Sequence, residues 1–365
     1  MPQPDRPRAA FHAPMKPPDH PTPSGDRRIA RLTVKALDRA GFEPFVASAL
    51  RTRDGAGDPA AQARIVAAAQ AETARLVAAL RDAPPVLWLT YHCYYKAPDL
   101  IGPAVSRALG VPYVVVEGTR APRRLAGPWA RFAAASEAAL DAAAVVFWFT
   151  RRDLPALEAG RPEGQSLVHL PPFTALGEVA ARPVSASGPL RLLSVAMMRA
   201  PDKLASFRAL AQGLAAAVDV DWTLTVVGDG EAEPAVREAL APLAGRVRFA
   251  GRIDARPALH DAYAEADLLV WPGVNEAFGM VYLEAQAMGR AVIAEDRPGV
   301  RDVVAPACAL TQPGEPEAFA AALRRFAMDR GALAAAGRAA RAHMEARHGV
   351  RAAAERLRAA LETLP

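Results

Sequence analysis

The chain has 365 residues, 52% apolar and 23% charged, which excludes wholesale disorder and leaves apolar sequence for two cores. No apolar run approaches the ~18–20 residues of a membrane span, and the longest, around Ala142–Phe149, reads as a buried strand. The net charge of +5 is uneven: residues 1–185 carry 23 Lys and Arg against 17 Asp and Glu, and the rest is near balance.

Met1–Arg8 is polar and Pro-rich, without the apolar core of a secretory signal. From there short β-branched or aromatic runs alternate with Ala-rich helical stretches, the pattern of βα units on a parallel sheet. Strands are predicted at Ala9–Ala13, Pro44–Ala47, Pro85–Thr90, Tyr113–Glu117, Val145–Phe149 and Ser166–His169. Helices are predicted at Arg28–Arg39, Ala60–Arg81 and Ala130–Asp141. Residues 171–189, rich in Pro and small residues, read as a linker.

A second series follows, with strands at Arg191–Ala196, Trp222–Val227, Val247–Ala250, Leu268–Trp271 and Ala291–Ala294. Its helices are predicted at Lys203–Ala216, Glu233–Leu243, Ala258–Ala264, Met280–Met288 and Pro316–Met328. After Gly331 the pattern is helical almost continuously to Leu364. The fold class is therefore α/β, with two doubly wound, Rossmann-like domains over residues 1–170 and 190–344. A cleft between them is the expected ligand site.

Cys93 and Cys308 lie far apart among apolar residues, and no CxxC or HExxH occurs. They read as reduced thiols of a cytoplasmic protein, with no metal expected. The basic N-terminal half suits an anionic substrate or a peripheral contact with the inner membrane face. An arginine-rich habit accounts for it equally, since the only lysines are Lys16, Lys35, Lys96 and Lys203. In such a chain a retained lysine marks a place for a compact point charge. Three of the four follow predicted strands, where open α/β sheets bind ligands.

The segment Trp271 to Gly289 carries the strongest chemistry. Glu276 falls in a loop after an apolar strand, and Glu284 in the second turn of the next helix. Phe278, Gly279 and Met280 would offer backbone N–H groups at that helix start, a seat for a diphosphate. A carboxylate can accept from two neighbouring sugar hydroxyls. Two carboxylates flanking a phosphate seat suit a ligand of the form sugar–diphosphate–ribose. Glu284 read alone is also an ordinary acid near a helix start. Arg199 and Lys203 follow the strand Leu193–Ala196, where a planar and a compact cation can clamp a diphosphate. The alternative is a pair of surface cations.

Asn275-Glu-Ala-Phe-Gly279 followed by Leu283-Glu-Ala-Gln-Ala-Met-Gly289 resembles the Glu-x7-Glu element of family 4 of the retaining GT-B glycosyltransferases. The resemblance implies a GT-B fold of two Rossmann-like domains facing a cleft, and the last helix, from about residue 345, packing back on the first domain. It implies that Glu276 contacts the donor sugar, Glu284 the ribose, and Arg199 and Lys203 the leaving diphosphate. Gly228, in Val226-Val-Gly-Asp-Gly230, resembles the family loop that approaches the nucleotide. Gly25 fits the first glycine loop, although Ser24 as a plain helix cap explains that stretch equally. His92, Lys96 and Glu117 are placed on the acceptor side, Glu117 standing where many members carry a sugar-contacting His.

The expected activity is transfer of a sugar, with retention, from a nucleotide-diphosphate sugar to a hydroxyl acceptor. No cofactor, metal or nucleic acid is expected. The alternatives are a non-catalytic sugar-nucleotide-binding protein and a GT-B sugar-nucleotide epimerase. A dehydrogenase is disfavoured because no GxGxxG follows a strand.

Overall fold

The structure, a computed structural model, describes residues 6–22, 24–175 and 183–364, so Met1–Asp5, Pro23, residues 176–182 of the expected linker and Pro365 lie outside it. The chain divides into two units, Met1–Phe173 with Val350–Pro365, and Thr174–Gly349. No helix among the described residues is long and apolar enough to cross a membrane.

The first unit is built on β1 (Arg8–His12), β2 (Glu43–Ser48), β3 (Leu87–Cys93), β4 (Tyr113–Gly118), β5 (Val145–Trp148) and β6 (Ser166–His169). They form one parallel sheet in the order β2-β1-β3-β4-β5-β6. Central strands are apolar on both faces, as in Tyr113-Val-Val-Val116, because helices cover both sides. The edge strand β2 is half exposed and tolerates Pro44, whose missing N–H would interrupt an inner ladder.

The helix Gly25–Arg39 connects β1 to β2, its start capped by Ser24 Oγ accepting from the Arg27 N–H at 3.3 Å. It buries Ile29, Ala30, Thr33 and Leu37, spaced to fall on one face. The chain's last helix, Val350–Leu361, packs against it, and Arg358 donates to the carbonyls of Ala40 and Arg39 at 2.9 and 3.1 Å. Two carbonyls at a helix end thereby gain a cationic donor.

The second unit contains β7 (Leu190–Val195), β8 (Trp222–Val227), β9 (Val247–Gly251), β10 (Leu268–Val270), β11 (Ala291–Glu295) and β12 (Ala309–Thr311). Its sheet is also parallel, in the order β12-β11-β10-β7-β8-β9. Asp267, fully buried, fixes the start of β10 beside β7: it accepts from the Arg191 guanidinium at 2.8 and 3.1 Å and from two backbone N–H groups. Two aromatics packed edge-to-face, Phe207 and Trp271, fill the core beneath the strand ends.

Three differences from the sequence expectation stand out. Strand β12 was not expected, because three residues are too few for a period to register. The helices Leu154–Ala159 and Val300–Val303 are short enough for the same reason to apply, and Gly102–Leu109 is a further helix outside those expected. The C-terminal helical region is two helices, Arg330–Arg347 and Val350–Leu361, broken where the His348 carbonyl accepts from the Thr174 N–H at 2.8 Å. One therefore belongs to the second unit and the other to the first.

In both sheets strand order reverses once beside the first strand of the unit. β1 is followed by β2 on one side and β3 on the other, and β7 by β8 on one side and β10 on the other. Such reversals leave a crevice outside the carboxyl ends of the strands.

Candidate active site

The reversal between β7 and β10 assembles the residues expected around a donor. Arg199 follows β7 on an exposed loop, and Lys203 lies in the first turn of the helix Asp202–Ala215. Glu276 follows β10. Its Oε1 accepts from the Trp271 indole N–H at 2.9 Å and pairs with the Lys203 ammonium. The same ammonium lies 5.8 Å from the Trp271 ring centre. The carboxylate expected to contact the sugar and one cation expected at the diphosphate are thus joined to each other.

Two further bonds hold the Glu276 loop to the Lys203 helix. Asn275 Nδ2 donates to Asp202 Oδ1 at 2.8 Å, and the Val274 N–H donates to Ser206 Oγ at 2.9 Å. Asn275 is left-handed (φ 53°), as Asn tolerates better than most side chains. The loop and the helix form one hydrogen-bonded frame.

The next helix, Met280–Ala287, starts at Gly279. Its φ is +79°, and an added Cβ would stand 2.6 Å from the Tyr282 ring, so only glycine fits. Met280 and Val281 carry the first N–H groups of the helix. Phe278 precedes the cap, and its side chain is buried. Glu284 lies one turn further, its Oε2 accepting from the Tyr263 hydroxyl at 2.7 Å. Tyr263 comes from the helix Arg256–Glu265 and was not singled out in the sequence, where no motif marks it.

Gly228, after β8, has φ +134°, and a Cβ there would lie 1.8 Å from the Ala196 carbonyl oxygen. The β8 loop therefore packs directly against the loop that carries Arg199, and the Met198 N–H donates to the Asp229 carbonyl at 2.7 Å. Within the protein this glycine serves the fit of two loops. In the first unit nothing demands glycine at Gly25, where a Cβ would meet open space and Ser24 makes an ordinary cap.

The three acceptor-side candidates separate. His92 and Glu117 end the adjacent strands β3 and β4, both left-handed, with φ 62° and 59°. Such backbone strain in non-glycine residues is held in place by its surroundings. His92 Nδ1 meets Asp26 Oδ1 at 3.1 Å, and its ring stacks on Tyr94 at 4.7 Å. Burial alone would lower the His92 pKa, but the charge of Glu117 and the bond to Asp26 raise it to about 9. Burial pushes Glu117 up to about 7, His92 opposing and the Asp26 charge adding to the rise. One Glu117 oxygen, Oε2, is buried without a hydrogen-bond partner. Lys96 stands apart from this cluster, over the rings of Trp129 and Tyr95 at 5.1 and 5.7 Å. Asp26, on which the cluster depends, was not singled out; as a first-turn acid it looks like an ordinary helix start.

Burial pushes both cysteine thiols up to about 12. Among the described residues no three His, Cys, Asp or Glu side chains come together in a metal-holding group.

Residues 189–329 match the family model described as glycosyl transferases group 1. The D-inositol 3-phosphate glycosyltransferase of Streptomyces avermitilis is 36% identical over 187 residues, 46% of this chain and 39% of that protein. The phosphatidyl-myo-inositol mannosyltransferase of Mycolicibacterium smegmatis is 39% identical over 77 residues, 21% of this chain and 19% of that protein. The aligned stretches thus span well under half the length of these relatives. The crystal structure of HepE from Anabaena in complex with UDP has a TM-score of 0.71 at 16% identity, covering 98% of this chain and 100% of the other. Sucrose-phosphate synthase from Thermosynechococcus elongatus has a TM-score of 0.69 at 19% identity, covering 98% of each chain. The chain therefore has the two-domain α/β fold of GT-B type, and its second unit carries a glycosyl transferases group 1 segment.

Proposed function

We propose that this protein transfers a glycosyl group from a nucleoside-diphosphate sugar to a hydroxyl acceptor, with retention and without a resident metal. The observation that carries the reading is the Lys203–Glu276 pair at the strand-order reversal of the second unit, with Arg199 on the loop after β7 and Glu284 in the helix Met280–Ala287 that follows. The matched family segment, residues 189–329, covers all four residues.

Arg199 offers a planar fork and Lys203 a compact charge to the diphosphate, whose negative charge rises as the glycosidic bond breaks. A diphosphate competes with Glu276 for Lys203, so donor binding turns the Glu276 carboxylate from that ammonium toward sugar hydroxyls. Glu284, oriented by Tyr263, accepts from the ribose diol, since a carboxylate has acceptor positions for several donors at once. For retention the acceptor attacks on the face from which the diphosphate leaves, and the diphosphate takes the acceptor proton. No nucleophile from the chain is required.

The deciding experiment incubates the full chain with UDP-, GDP- and ADP-sugars and follows free nucleoside diphosphate and sugar products by NMR. Release of nucleoside diphosphate with an α-linked product from an α-linked donor supports the proposal. An inverted linkage refutes retention, and tight donor binding without turnover favours the binding-protein alternative. The epimerase alternative draws on one observation, the His92–Glu117 acid–base cluster of the first unit. It predicts an intact nucleotide sugar of altered configuration.

A further inference from the structure

Strand register in the first unit sets a carboxylate beside an imidazole. β3 and β4 pair with Tyr91 opposite Val116 and Cys93 opposite Gly118, so His92 and Glu117 fall side by side between those pairs. Neighbouring strands lie ~4.8 Å apart. Burial opposes a charge on His92, and the Glu117 carboxylate is the strongest influence holding it.

Carboxylates outnumber cations around this pair. Asp26, in the first turn of the helix Gly25–Arg39, meets His92 Nδ1 at 3.1 Å. Asp153 stands just before the helix Leu154–Ala159, its Oδ2 accepting from Thr150 Oγ1 at 2.9 Å and its Oδ1 from Thr119 Oγ1 at 3.4 Å. The charges of Asp26 and Asp153 both act on Glu117. Lys16 acts on Asp26, Arg152 on Asp153 and Arg53 on Tyr94, while the cation acting most strongly on Glu117 is His92. Three carboxylates thus share one imidazolium.

Glu117 Oε2 is buried without a hydrogen-bond partner, a costly state for a carboxylate oxygen. Burial raises the proton affinity of Glu117, with the Asp26 charge adding to it, and burial raises that of Asp153. A ligand anion would add to the excess of negative charge. A hydroxyl offers a donor and leaves the excess in place. An ammonium offers three donors and a positive charge together. The rings of Tyr91 and Tyr94 lie 5.8 and 4.7 Å from the His92 ring, and aromatic rings beside carboxylates suit a cation.

We propose that Glu117, with Asp26 and Asp153 around it, binds a protonated amine carried by the acceptor, which makes the acceptor an amino sugar or another amine-bearing polyol. Its assignment to the acceptor rests on the glycosyltransferase reading; the amine site itself does not. The same ammonium chemistry can arrive on a donor sugar, and the test separates the two sources.

Binding of D-glucosamine, D-glucose and N-acetylglucosamine to the full chain is measured by NMR with the glucosamine amine protonated. Expected is glucosamine binding about tenfold or more tighter than either neutral sugar, weakened about tenfold or more in Glu117→Gln while UDP affinity holds. Glucosamine should also shift the His92 ring resonances of the wild type, a readout that needs no variant. Equal affinity for glucosamine and glucose, unchanged glucosamine affinity in a folded Glu117→Gln protein, or no glucosamine binding at all overturns the proposal. If circular dichroism shows Glu117→Gln unfolded, the wild-type preference for glucosamine over N-acetylglucosamine and the His92 shift decide it. Glucosamine that still binds under saturating UDP-glucose belongs to the acceptor. Glucosamine displaced by UDP-glucose but not by UDP belongs to the donor sugar and overturns the acceptor assignment. Absence of sugar-nucleotide turnover with glucosamine binding intact would instead refute the glycosyltransferase reading.

Discussion

Replacing Lys203 by alanine tests whether its ammonium serves the donor or only the fold. The side chain is 25% exposed and its partner Glu276 12% exposed. Exposed pairs contribute about 0–1 kcal/mol, and breaking a fully buried one costs about 3–5 kcal/mol. This pair lies between those limits, and the Trp271 N–H still donates to Glu276 after the substitution. Lys203→Ala should therefore destabilise the second unit by ~1–2 kcal/mol, lowering its melting temperature by about 2–8 °C. Turnover should fall further than folding explains, by about two orders of magnitude, because the interaction strengthens as the diphosphate departs. Lys203→Arg should recover only part of this, since a planar fork does not reproduce a compact ammonium. The assays are thermal unfolding and release of nucleoside diphosphate, run together with Glu276→Gln and the double variant. Because Glu276→Gln removes the charge that Lys203 would leave unpaired, the double variant should be more stable than the two single losses sum to, by roughly 1 kcal/mol. Additive stabilities with near-wild-type turnover in a folded Lys203→Ala protein would refute the donor-site reasoning.

Glu284→Gln should weaken donor and free nucleoside diphosphate alike by ~1.5–3 kcal/mol, and Tyr263→Phe by about 1 kcal/mol through lost orientation; equal nucleotide affinity in Glu284→Gln and wild type would remove the ribose assignment. Glu276→Gln should lower turnover while free nucleoside diphosphate still binds. With EDTA we expect the transfer rate to hold, and loss of turnover restored by Mg²⁺ or Mn²⁺ would contradict the metal-free proposal. In the first unit the folded state raises His92 from 6.5 to about 9, so its stabilisation is complete below pH 6.5 and is lost as pH rises through about 9. Glu117, raised from 4.5 to about 7, keeps a proton that the unfolded chain releases, so stability also falls between those values. Histidine NMR titration should show His92 near 9 in the wild type and shifted toward 6.5 in Glu117→Gln; titration of wild-type His92 near 6.5 would rule out the coupling.

The amino-acid sequence alone carries the alternation of strands and helices, because each buried strand or amphipathic helix writes its own period into neighbouring residues. It also placed Glu276, Glu284, Arg199 and Lys203 on strand ends and helix starts, since each sits within a few residues of an apolar run. Elements too short to repeat a period, such as Ala309–Thr311, left no such trace. Tertiary structure decided which strands are neighbours, and hence where the two strand-order reversals fall. It decided that Lys203 meets Glu276 across 73 residues and His92 meets Asp26 across 66. It also gave the last helix to the first unit, through Arg358 and the end of the helix Gly25–Arg39. A local pattern reports which face of an element is buried but not against what, and a charge acquires a partner only when sheet order brings two distant strand ends together.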